Sequence, residues 1–91
     1  MEINVDLVRK KQLKTQAHSL KPVNTIGQAG LTESVLKEIE ITLDTHELIK
    51  IKIRAEKQQR KQLCQQIIAD THSELIQEIG QIIVIYRKKP I

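Results

Sequence analysis

Apolar positions along this chain change their spacing several times, and each change marks an element. Leu13, Ala17 and Leu20 fall at i, i+4, i+7, the period of one buried helix face. That spacing predicts a first helix, capped by Asn4 or Asp6 and running to about His18, with Arg9, Lys10, Lys11 and Lys14 mainly outside the stripe. Lys21 and Pro22 end it, because proline disfavours helical geometry in the residue before it. Val23 to Ile26 reads as a short strand. Thr32 suits an N-cap and Glu33 the positive end of a second helix, in which Val35, Leu36, Ile39 and Leu43 share a face to about Thr45. In "ELIKIKIR" the period drops to two, so Ile49, Ile51 and Ile53 form an apolar face against Lys50, Lys52 and Arg54 on a cationic one. A third helix over Lys57 to Thr71 buries Leu63, Cys64, Ile67 and Ile68. The end reads as two strands joined at Gly80-Gln81, with Ile82 to Ile85 apolar on both faces like an interior strand, and "RKKPI" as a frayed tail.

The order α-β-α-β-α-β-β predicts an α+β fold, a mixed four-stranded sheet with helices packed on it. Residues 1–91 make one domain, with 1–5 and 88–91 frayed. So small a domain can cover one sheet face with helices and leave the other partly open, where the lysines of "ELIKIKIR" would lie.

Composition narrows the function. Apolar residues are 40% of the chain, yet Phe and Trp are absent and Tyr86 is the one aromatic. An aliphatic core follows, without the aromatic platforms on which many RNA readers stack bases. Cys64 stands alone, so no internal disulfide can form, and no apolar run nears the roughly 20 residues a bilayer span needs. "MEINVDLVRKKQ" lacks the order of a secretion signal, and a cytoplasmic protein is expected. The net charge of +4 is sorted by segment: cations dominate before residue 22, between 50 and 61 and after 80, and acids dominate 31–47 and 62–80. Such sorting points to an oriented surface for polyanions.

The stretch "PVNTIGQAGLTESVL" holds two of the three glycines, Gly27 and Gly30, after the first strand and before the second helix. It fits neither the GxxxxGK nucleotide loop, since Leu31 follows Gly30, nor the three-glycine dinucleotide fingerprint. It does fit the GxxG loop of KH-type RNA-binding domains, where absent side chains let a phosphate reach main-chain amides and the next helix start. The plainer alternative is a tight exit at Gly27 and a left-handed residue at Gly30. Lys50, Lys52 and Arg54, spaced about 6.5–7 Å apart along a strand, could meet successive phosphates; the alternative is a solvated or edge-guarding row.

Taken together, "AHSLKPV", "GQAGLTESVLKEIE", "HELIKIKI" and the closing "IG…IYR" resemble the small bacterial YhbY-type proteins, stand-alone CRM domains, in order from Arg9 to Arg87. The resemblance implies an RNA-binding domain similar in fold to the C-terminal domain of translation initiation factor three. It implies a loop on Gly27, Gln28, Ala29 and Gly30, with Lys21 on the basic surface around it, and association with ribosomal RNA in large-subunit precursors. Periodicity adds Lys50, Lys52 and Arg54, and the first helix contributes Lys10 and Lys14. The uncharged Gln28 and Ala29 depart from the family's loop and lower its own pull on phosphate.

His18, His46 and His72 lack metal-ligand spacing, Cys64 sits on an apolar stripe, and no nucleophile motif occurs. No enzyme activity, cofactor, metal, small-molecule substrate or membrane partner is expected, and a monomer is. The rival reading is a docking adaptor whose acidic second-helix face, Glu38, Glu40 and Asp44, meets a basic ribosomal protein.

Overall fold

The first helix forms where the capping chemistry allows it. In the computed structural model, which describes residues 6–89, Asp6 is the N-cap and its carboxylate accepts the Arg9 amide at 2.8 Å. Helix α1 spans Leu7–Ala17, so Asp6 is the cap; Asn4 lies outside the described residues. The remaining elements are β1 (Pro22–Ile26), α2 (Glu33–His46), β2 (Leu48–Ile53), α3 (Lys57–Thr71), β3 (Glu74–Ile79) and β4 (Ile82–Tyr86). Their order and the mixed four-stranded sheet are those the apolar spacing predicts.

The sheet runs β1-β2-β4-β3. β2 pairs in parallel with β1 and antiparallel with β4, and β3 pairs antiparallel with β4. The last strand therefore slots between the second and third. Gly80, at φ +55, turns the β3–β4 hairpin, and a register shift between Leu75 and Gln77 breaks the outer ladder of β3. An irregular edge of this kind resists pairing with other chains.

Alternation along β2 divides the core between two faces. Ile49, Ile51 and Ile53 join Ile26, Ile39, Leu43, Cys64, Ile67, Ile83 and Ile85 beneath α2 and α3. On the other face Leu13 and Ala17 of α1 pack against Leu48, Ile76 and Val84, with Tyr86 at the margin. Helices thus lie on both faces, and α1 covers only part of the second. Leu20, expected on the buried stripe of the first helix, is exposed beyond the helix end.

The C-terminal segment departs from the expected frayed tail. Arg87 donates from Nη1 to both carboxylate oxygens of Glu40 (3.1 and 2.9 Å) and to the Thr71 carbonyl (2.8 Å). Its Nη2 donates to Asp44 Oδ1 at 2.8 Å. The Arg87 amide donates to the Glu47 carbonyl and the Lys89 amide to the Glu47 carboxylate. One guanidinium therefore ties the end of β4 to both helices on the larger core. Residues 90 and 91 lie outside the described residues.

Candidate nucleic-acid interface

β1 ends because Ile26, the last of its inward side chains, is fully buried and the next residues have none to bury. The Ile26 carbonyl accepts the Arg54 amide at 2.9 Å, and the Gly27 carbonyl accepts the Gly30 amide at 3.1 Å, which closes a four-residue turn. Gly30 sits at φ +75, the left-handed region, so its glycine is demanded by the backbone. Gly27 is different. Its φ is not positive, and a Cβ built there would meet nothing within 4 Å. Neither conformation nor crowding inside the protein explains that glycine.

Gln28 and Ala29 are exposed at the tip of the turn. Thr32 then caps α2, its hydroxyl oxygen accepting the Val35 amide at 3.2 Å. The amides of Glu33 and Ser34 have no intrahelical acceptor and point outward at the positive end of the helix. The bend thus presents bare main chain and unpaired donors to solvent, moderated by the Glu33 carboxylate in the same helical turn.

Only the upper end of the cationic row, Arg54, comes level with this bend; Lys50 and Lys52 project from the sheet face that α1 shares, opposite the face on which α2 packs. Lys52 is paired across the ladder with Thr25 and Lys50 with Pro22, and Arg54 follows Ile53 directly at the level of Gly27. Arg54 is exposed, while Lys50 and Lys52 are half-buried in an interior strand. Two details differ from the periodic reading. β2 is not an edge, so its lysines are not edge guards, and Leu48 on the same side is buried under α1, so that face is not wholly cationic.

Lys10 and Lys14 lie on one flank of α1. The opposite flank places the Arg9 guanidinium 5.7 Å from the centre of the Tyr86 ring and sets Gln16 beside Leu48. By helical geometry, the Lys10 and Lys14 flank turns toward the uncovered part of the sheet face that holds Lys50 and Lys52. Lys21 is not brought to the bend. It precedes β1, whereas the bend follows it, a separation of roughly 20 Å along an extended strand.

Other candidate groups have structural roles. Tyr86 is half-buried and its ring is faced by Arg9. Cys64 is buried, and burial first, then the charge of Glu78, pushes its thiol up to about 11. His18 and His72 are the C-cap residues of α1 and α3, and His46 is the last residue of α2. Among the described residues no cluster of His, Cys, Asp or Glu could hold a metal, and no helix is long and apolar enough to cross a membrane. Residue-by-residue reading missed Lys57 and Lys61, exposed at the start of α3 just past Arg54. The signal was present in the cation-rich run of residues 50–61.

These elements define a small α+β domain with an exposed glycine turn and a cationic strand at one end of a mixed sheet. The chain belongs to the CRS1 / YhbY (CRM) domain family, whose model matches residues 8–87. A protein of Pseudomonas aeruginosa named a probable RNA-binding protein is 46% identical over 83 residues, covering 90% of this chain and 80% of its own. An RNA-binding protein of Haemophilus influenzae is also 46% identical, over 80 residues, covering 87% and 81%. The solution structure of a hypothetical protein from Staphylococcus aureus, suggested to bind RNA, superposes with a TM-score of 0.82 at 35% identity, covering 97% of this chain and 93% of that one.

Proposed function

We propose that the protein binds RNA through its sugar-phosphate backbone, the Gly27–Gly30 turn seating a phosphate while Lys50, Lys52 and Arg54 neutralise its neighbours. The observation that carries this reading is Gly27, a glycine with no internal reason to be one, exposed beside an unpaired helix start and a cationic strand. The names of the relatives support RNA as the ligand. Selectivity comes from the shape of folded RNA, since the sole aromatic ring is engaged by Arg9 and cannot serve as a stacking platform. Following the family resemblance, the RNA is ribosomal and the protein assists large-subunit assembly as a cytoplasmic monomer without catalytic activity. The adaptor reading loses ground because Arg87 already holds Glu40 and Asp44, two of the three acids it needs.

The test is a salt titration of RNA affinity for the triple variant K50Q/K52Q/R54Q, with its fold checked by circular dichroism. Each phosphate contact on single-stranded RNA contributes about 0.7 to the slope of log K against log salt, so the slope should fall by about 2. An unchanged slope in a folded variant removes the row from the interface.

A further inference from the structure

A further cluster of positive charge lies beyond the bend and the strand, at the start of α3. Arg54, Lys57, Arg60 and Lys61 fall within eight residues that contain one acid, Glu56. Among the described residues, none of these four cations has an ion-pair partner within 4 Å. Glu78 lines a cleft of about 250 Å³ with Lys57, Arg60, Lys61 and Gly80, yet pairs with none of them. Arg60 is held in place by its Nη1, which donates to the Ala55 carbonyl at 2.8 Å and leaves the rest of its donor fork free.

This placement works against the helix it occupies. Cations in the first turns oppose the positive end of the backbone dipole. The first turn of α3 has no acid, and the N-cap Glu56 makes no side-chain capping bond. Helix α2, which leaves the same end of the sheet, instead has the Thr32 cap and Glu33. The free protein therefore holds four cations at the head of α3 without an ion pair, only partly balanced by Glu56 and Glu78 nearby, and a polyanion would offset the remainder. The charge also continues the proposed path: Arg54 is bonded to the strand that ends at the bend, and Lys57 follows three residues later, within about 10 Å along the chain.

We propose that the head of α3 is a second phosphate-contacting arm, in which the RNA strand seated at Gly27–Gly30 continues over Arg54 to Lys57 and Lys61. This rests on the RNA-binding reading above. The experiment compares K57Q/K61Q, K50Q/K52Q/R54Q and a charge-matched control, K88Q/K89Q, for binding a fluorescently labelled mixed-sequence single-stranded RNA across a salt series. For K57Q/K61Q the salt slope should fall by about 1.4 and the affinity near 0.1 M salt by about 25-fold. Its Tm should hold or rise, because glutamine no longer opposes the dipole. K88Q/K89Q, at the other end of the sheet, should change the slope far less. If K57Q/K61Q binds like wild type while K50Q/K52Q/R54Q does not, the second arm is refuted and the bend-and-strand interface stands. If K88Q/K89Q loses as much as K57Q/K61Q, only net charge is at work and the arm is refuted. Wild-type protein that binds neither this RNA nor a folded ribosomal RNA fragment refutes both readings.

Discussion

Removing the Arg87 guanidinium while keeping its packing should loosen the whole domain, and the variant Arg87→Met does this. The Arg87 side chain is 18% exposed, its partner Glu40 38% and Asp44 61%. The Asp44 arm is exposed enough that its loss costs at most about 0.5 kcal/mol. The Glu40 arm is a shielded, charge-assisted contact through both carboxylate oxygens, contributing about 1–2 kcal/mol. The Thr71 carbonyl, on a fully buried residue at the end of α3, would lose its guanidinium donor at about 1 kcal/mol more. A loss of about 2–3 kcal/mol follows, or a Tm lowered by about 10–20 °C for a domain of this size. Thermal unfolding by circular dichroism measures it, and a cycle with Glu40→Gln should return a coupling above about 1 kcal/mol. Because the clamp joins the far ends of α2, α3 and β4, the salt slope of RNA binding should stay as in wild type. A Tm within about 3 °C of wild type would refute the clamp.

The two glycines of the bend should separate in their effects. Gly30→Ala forces a side chain into the left-handed region and should cost about 1 kcal/mol, seen in thermal melts. Gly27→Ala should change stability by less than about 0.5 kcal/mol yet weaken RNA binding severalfold, and the reverse pattern would overturn the assignment of Gly27. Cys64 supplies a pH signature. With its thiol raised from 9.0 to about 11, the unfolded chain ionises first, so stability should decline between those values as pH rises. The difference in denaturant midpoint between wild type and Cys64→Ala, followed across that window, isolates this effect.

Much of the architecture was legible because the elements are strongly periodic. The alternation of Ile49, Ile51 and Ile53, the stripe of α3 and the Thr32 cap are local signals, and each appears where the spacing places it. What local spacing cannot carry is partnership across the chain. Nothing near "YRKKPI" shows that Arg87 meets Glu40, 47 residues earlier, so a charged tail reads as frayed. The site follows the same rule. Gly27, Gly30 and Arg54 converge because adjacent parallel strands end together, which the crossover β1–α2–β2 implies. Lys21 is adjacent to the strand in sequence but at its wrong end. Lys57 and Lys61 lie in a helix whose apolar stripe draws attention to its other side.

The position of β4 also governs when this protein can exist during its own synthesis. Its residues, Ile82–Tyr86, emerge after every other element, yet they fill the middle of the sheet between β2 and β3. Until they clear the ribosomal tunnel, β3 has no neighbour, and β2 has only the short parallel partner β1. A nascent chain that lacks β4 therefore has only the β1–β2 pair to settle into, and the four-stranded sheet closes late.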